Sequence, residues 1–519
     1  MSKAIPTDPP HRSGKADNPV SPLLEARKKL EQAERLRLAR KLNQAQKICE
    51  TVLKQYPDYV GILHTLGLVL ADKRKYHQAV PHLVHATMLN PRDSRPLIVL
   101  AGVYLRLGAR EMAVRTLEQA RQRQPEDANI LAILGEIHRD DREYQAAANA
   151  YCKALDIDPS LYDVQTGLGS VCIHLGRFQE AAAAFLSLME HYSDSINLLF
   201  SLSQLPPSLI NLDLLSLVEG AAPRAGESRE RFETVRAFTK AGALHNAGRH
   251  HEAWTSLVEA NSRMLPDHRD AWRKDAKIQE VILAGAKKHQ VVTDKPRCDA
   301  DGQPMSLFII GPSRSGKTTT ELLVSTIDGV KRGYENPIVE NVIRHTFQTA
   351  GLPTRDWMIE LPPGLDDLCR DFYLEELEER AGTARIFTNT HPGHITSVLR
   401  IANTLPNVRF VFVKRDIDDI TFRIFMKKYR SGNAHSYDLG TIREYITWYY
   451  EMIDVLAEKL PHLTTVIQYE EMIANPATAL KSVVKLCAIE DMDGPPLVLE
   501  NDRGCAAPYR QLMTAALID

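Results

Sequence analysis

Apolar and small residues recur in fixed columns along the first part of the chain. Pro57, Pro91, Pro125 and Pro159 stand 34 residues apart. In the same register run Leu66, Leu100, Leu134 and Leu168, each followed by a small residue: Gly67, Ala101, Gly135 and Gly169. A second small column is Ala79, Ala113, Ala147 and Ala181, and a large apolar column follows at Leu83, Leu117, Tyr151 and Phe185. This period predicts helix–turn–helix units. Small residues let paired helices approach closely, large ones fill the groove between units, and the proline ends the second helix. Residues 57–192 hold four such units, and 22–56 read as a degenerate one before them. No unit buries its apolar face alone, so stacking neighbours is what stabilises the array.

The columns resemble the tetratricopeptide repeat. The resemblance implies a concave surface for a protein or peptide partner. The other use of such an array is as a spacer or dimerisation element, which makes a homo-oligomer the alternative. Beyond residue 195 the chain stays helical but loses the period. Residues 230–265 read as one more hairpin, with Gly248 at its turn and Ala253 and Trp254 on its second helix. The segment 293–304 carries the proline, glycine and aspartate of a linker.

The pattern then changes from helical to extended. Leu307 to Ile310 is a continuous apolar run, suited to a strand buried on both faces. It leads into Gly311-Pro312-Ser313-Arg314-Ser315-Gly316-Lys317-Thr318, which satisfies GxxxxGK[ST] at every position, and an amphipathic helix begins near Lys317. Such a loop turns backbone N–H groups and a helix N-terminus toward an anionic phosphate. A second strand, Val408–Val413, ends in Lys414-Arg415-Asp416. A magnesium nucleotide calls for an aspartate directly at that strand end. Two cations there suit an anion better than a metal.

Composition narrows the class. The chain has 519 residues, 44 % hydrophobic and 25 % charged, with a net charge of −2. That balance gives no global field for nucleic acid or an anionic membrane. No stretch approaches the length of a membrane-spanning helix, and the polar, proline-rich residues 1–21 read as a disordered N-terminus without a secretory signal. The seven scattered cysteines fit a reducing compartment, so a cytoplasmic location is expected.

Several segments of 305–519 together resemble the sulfotransferase superfamily, and most of all its bacterial type that follows tetratricopeptide repeats. Arg314, Ser315, Gly316 and Thr318 match the family's loop, and Arg415, Asp416 and Asp419 match its later strand end. VIQYEEMIANPATALKSVVKLCAI is similar to its YEDLVxDP segment. The resemblance implies a three-layer α/β domain with a parallel sheet, and 3′-phosphoadenosine 5′-phosphosulfate as donor to a hydroxyl or amine acceptor. It implies that Arg314, Ser315, Gly316, Lys317, Thr318 and Thr319 bind the phosphosulfate and that Arg415 binds the 3′-phosphate. Arg503 and Gly504 fall in a segment resembling the last nucleotide-contacting loop. Glu335, 21 residues beyond Arg314 in Val330-Lys-Arg-Gly333-Tyr-Glu335, takes the place of the catalytic base.

Three positions depart from the family pattern. Lys317 replaces the loop's first threonine, Arg423 stands where a serine contacts the 3′-phosphate, and Asn389-Thr390-His391-Pro392 lacks the usual lysine. Lys317 is expected to supply that missing cation, joining Arg314 and Glu335 as catalytic residues, with Arg423 on the phosphate. His391 and His394 read as loop histidines, since no third ligand is spaced near them, and no metal is expected. The expected chain is therefore an α-helical solenoid followed by an α/β phosphate-loop domain. Its divisions are 1–21, repeats over 22–195, an atypical helical region over 196–295, and a catalytic domain over 296–519. The competing readings are an ATP-dependent kinase or ATPase, and a scaffold that keeps the fold without turnover.

Overall fold

The computed structural model describes residues 20–224, 226–290, 302–353, 361–362, 364–429, 432–489, 499 and 503–518. Residues 1–19, the linker residues 293–301 with Cys298, and residues 501–502 lie outside them. The described residues fall into two compact units. One runs to Asp140 and includes Tyr144–Val171; the other comprises Asp141–Glu143 and the residues from Cys172 onward.

The first unit is a run of helix pairs: α1 (Val20–Leu38) with α2 (Leu42–Gln55), α3 (Val60–Asp72) with α4 (Tyr76–Leu89), α5 (Arg95–Arg106) with α6 (Arg110–Arg123), and α7 (Ala128–Asp140) with α8 (Tyr144–Ile157). Each second helix stops two residues before its proline. The sequence columns have a direct packing meaning. A Cβ added to Gly67 would lie 2.4 Å from Leu83 Cδ2, and one on Gly135 would lie 2.5 Å from Tyr151 Cε1. Each small residue is thus the floor on which a large one rests. Leu83, Leu117 and Tyr151 are fully buried.

α9 (Tyr162–Leu175) crosses the boundary between the units. In the second unit follow α10 (Phe178–Tyr192), α11 (Ile196–Leu202), α12 (Leu214–Gly220), α13 (Arg229–Asn246) and α14 (His250–Lys288). α14 is longer than the expected hairpin arm, which ends at 265. It continues through Pro266 because tertiary packing outweighs the lost helix bond. Trp272, Ile282 and Ala286 are buried beyond the proline, and Ile282 and Ala286 belong to the core beneath the sheet.

The sheet has five parallel strands in the order β2-β3-β1-β4-β5: β1 (Met305–Ile310), β2 (Val330–Lys331), β3 (Ile386–Asn389), β4 (Val408–Lys414) and β5 (Thr464–Gln468). Between them run α15 (Lys317–Val324), α16 (Ile338–Thr349), α17 (Asp366–Ala381), α18 (Val398–Thr404), α19 (Ile417–Phe425) and α20 (Leu439–Lys459). After β5 come α21 (Tyr469–Ala474), α22 (Pro476–Cys487) and α23 (Arg510–Ile518).

The sheet has apolar side chains on both faces. Phe308, Ile310, Phe410 and Phe412 join a core with α16, α17, α18 and α20. Leu307, Ile309, Val411 and Val413 face α15, α21 and α22 instead. Covering both faces explains why β1 and β4 are predominantly apolar, with Ser306 and Arg409 the buried exceptions. The order reverses between β1 and β4, so their carboxyl ends open onto one crevice, where open α/β sheets take ligands. Among the described residues no helix is long and apolar enough to cross a membrane.

Candidate active site

The chain leaves β1 at Gly311, turns through Ser313–Ser315, and enters α15 at Lys317. Two left-handed residues make the turn: Arg314 at φ 68° and Gly316 at φ 101°. Gly316 has no alternative, because a Cβ there would lie 2.2 Å from Tyr469 Cδ2. The same Tyr469 ring carries the Arg415 guanidinium, 4.3 Å from its centroid. The loop, the first residue of α21 and the end of β4 thus form one stack.

Lys317 and Ser315 are buried, while Thr318 is exposed and Thr319 half-buried. Lys317 Nζ donates to the Pro312 carbonyl at 3.2 Å and has no ion pair among the described residues. Burial lowers its pKa, Glu335 opposes that shift, and Arg314 adds to it. Arg314 is lowered for the same first reason, with Arg423 adding to the shift and Tyr429 and Glu335 opposing it. Two cations are therefore held in a place that disfavours their charge. Ser315 Oγ is buried without a hydrogen-bond partner among the described residues. Ser313 Oγ lies 2.9 Å from the Tyr429 hydroxyl, which sits near enough to Arg314 to favour its charge.

Arg415 is 3 % exposed. Its main chain is pinned by Tyr450, whose hydroxyl accepts from Arg415 N at 2.8 Å and donates to Arg415 O at 2.6 Å. Its Nη1 reaches the Arg314 carbonyl at 3.5 Å, and its Nη2 is 3.7 Å from Asp419. Asp416 caps α19 by accepting from Asp419 N at 3.0 Å. Asp419 in turn accepts from Gly504 N at 2.6 Å and Ala506 N at 3.0 Å. Gly504 therefore gives its amide to the protein, and its part is to close the loop over Arg415. Arg503 Nη1 donates to the Glu470 carbonyl at 3.3 Å. Arg423 is half-buried and hydrogen-bonds Cys505 of that loop.

Glu335 is half-buried and acts electrostatically on both loop cations. Its segment is fixed by Glu321, a fully buried carboxylate of α15. Glu321 accepts from Tyr334 N at 2.9 Å, Thr388 Oγ1 at 2.5 Å and Arg332 Nε at 3.2 Å. Burial raises its pKa, against Arg332 and the hydrogen bonds. On the other side of Glu335, the Asn336 amide bonds the Thr388 carbonyl, and Asn389 Nδ2 donates to Asn336 Oδ1 at 3.0 Å. Thr390 N donates to the Tyr334 carbonyl at 2.8 Å.

Sequence reasoning missed Glu321, Tyr429 and Tyr469. Tyr469 had a signal, since it opens the YEEM segment that follows β5. It also leaves out Glu340, which the structure brings from α16 to the side of His391 and His394.

The sulfotransferase-family model matches residues 304–493 and a tetratricopeptide-repeat model matches residues 98–162. Superkiller protein 3 of Schizosaccharomyces pombe is 22 % identical over 136 residues, covering 26 % of this chain and 10 % of that protein. An uncharacterized protein of Aquifex aeolicus is 19 % identical over 247 residues, covering 46 % of this chain and 32 % of that one. The chain thus spans a third or less of the length of these curated relatives. The crystal structure of a tetratricopeptide repeat protein from Parabacteroides merdae is 16 % identical, with 46 % of this chain and 93 % of that one covered at a TM-score of 0.34. This chain therefore joins a tetratricopeptide-repeat region to a sulfotransferase-family domain.

Proposed function

We propose that the chain transfers the sulfuryl group of 3′-phosphoadenosine 5′-phosphosulfate to a hydroxyl or amine, and that its repeats bind the partner or substrate protein. The reading places catalysis in 296–519 and the partner surface in 22–195. One observation carries it: Lys317 is buried against a carbonyl, beside Arg314, with no carboxylate paired to either among the described residues. An anionic donor supplies the charge that these cations lack. The end of β4 points the same way, since the buried Arg415 stands where magnesium would want a carboxylate.

In this mechanism the acceptor oxygen or nitrogen attacks sulfur, and the bond from sulfur to the 5′-phosphate oxygen breaks. Adenosine 3′,5′-bisphosphate leaves, and the acceptor proton passes to the Glu335 carboxylate. Lys317 and Arg314 bear the charge that develops on the departing phosphate. Ser315, Gly316, Thr318 and Thr319 hold that phosphate at the start of α15. Arg415, Arg423 and Arg503 hold the 3′-phosphate. Arg423 offers a two-pronged donor where a serine would offer one hydroxyl.

The test is transfer of labelled sulfur from the donor into acceptors fractionated by size, with and without magnesium. Transfer that needs no magnesium and disappears in Lys317→Ala supports the proposal. No transfer to any fraction, with intact fold, contradicts it.

A further inference from the structure

The loop leaving β3 gathers a second group of side chains. His391 caps the short turn Pro392–Thr396, and His394 lies within that turn. Glu340, in the first turn of α16, meets both: its Oε1 is 3.6 Å from Nδ1 of His391 and 3.6 Å from Nδ1 of His394. One donor atom from each residue lies within 4.8 Å of the other two. Metal bonds of about 2.0–2.1 Å in a tetrahedron set ligand atoms about 3.3 Å apart. The two spacings to Glu340 are a few tenths of an ångström wider.

The three residues do not satisfy one another. A separation of 3.6 Å is too long for a hydrogen bond. Glu340 Oε2 and His394 Nε2 are buried with no hydrogen-bond partner among the described residues. His394 is 2 % exposed and packs edge-on against Phe308, so its ring is fixed in place. His391 Nδ1 accepts from Gly393 N at 3.2 Å, a bond that ligation through this nitrogen would replace.

We infer that Glu340, His391 and His394 form a site for a divalent transition cation of the zinc class. Two imidazoles and one carboxylate select such ions over magnesium or calcium, which prefer all-oxygen sets. Three protein ligands leave a fourth position for water, and the side chains of Glu340 and His391 are 40 % and 37 % exposed, so that position is reached from solvent. The ion would tie α16 to the loop after β3, just beyond the segment carrying Glu335. The site does not depend on the sulfuryl-transfer reading, and its test does not use activity.

Tag-free, full-length protein stripped by chelator is titrated with zinc, and separately with cobalt(II) while visible absorption is recorded. The expected result is one equivalent bound per chain, a cobalt spectrum of low coordination number, and no competition from excess magnesium. Glu340→Gln keeps the side chain's size at a partly exposed position and is expected to weaken binding at least tenfold. His391→Ala is expected to do the same. Absence of stoichiometric binding by the wild-type chain overturns the inference. So does unchanged affinity in both variants, which would put the ion on other ligands.

Discussion

Glu321 and Tyr334 are joined by a 2.9 Å hydrogen bond from the Tyr334 backbone N–H to a carboxylate with no solvent exposure. Because Glu321 lies on α15, the helix that begins with the loop cation also sets the residue before Glu335. Cation and proposed base are therefore held in one frame.

Glu321→Leu would leave the Tyr334 N–H, the Thr388 hydroxyl and the Arg332 guanidinium without their acceptor. Removing one side of a buried charged pair costs about 3–5 kcal/mol. Urea denaturation should show a loss of that order. Glu321→Gln keeps an acceptor and should lose less, while lowering kcat more than it weakens donor binding.

Glu335→Gln separates proton transfer from binding. A general base contributes roughly 10²–10⁴-fold in rate. Turnover should fall by that factor, while the dissociation constant for adenosine 3′,5′-bisphosphate should stay within about threefold, far less than one tenfold step of 1.4 kcal/mol. Equal losses in both would assign Glu335 to binding.

In the repeats, Gly135→Ala forces a Cβ to within 2.5 Å of the Tyr151 ring. Overpacking of this kind costs about 1–3 kcal/mol. Adding Tyr151→Leu recreates the small–large pair of the preceding repeat, Ala101 with Leu117, and should recover part of the loss. Thermal melts of both single variants and the double variant measure the coupling.

Acid should destabilise the chain through buried histidines. Burial lowers His435 to about 3, and lowers His64 and His174 to about 4. Their unfolded values lie near 6.5, so below that pH the unfolded state takes up protons that the folded state refuses. Stability present above pH 6.5 is then lost as pH falls toward the folded values. Each histidine contributes about 2 kcal/mol of loss between pH 6.5 and 5. His435 stacks on Tyr445 at 3.7 Å, so His435→Phe keeps the ring and should flatten this slope in denaturation series.

The repeats were legible because one packing problem recurs every 34 residues, which turns contacts into columns. β1 and β4 were legible because burial on both faces leaves predominantly apolar runs, and Arg415 because it stands two residues beyond Val413, the last apolar residue of β4. What stayed hidden is held by pairs far apart in the chain. Glu321 meets Thr388 across 67 residues, and Ser313 meets Tyr429 across 116. Glu340 reaches His391 from 51 residues upstream. The length of α14 was missed for another reason: its local signal at Pro266 is overridden by Trp272 and Ile282, which find buried places further on.

The most direct measurement is calorimetric titration of the full-length chain with adenosine 3′,5′-bisphosphate, beside ATP with and without magnesium. The proposed function predicts tight binding of the bisphosphate that is indifferent to magnesium and at least tenfold weaker in Arg415→Lys. Preference for ATP with magnesium, or binding of neither nucleotide, would contradict it.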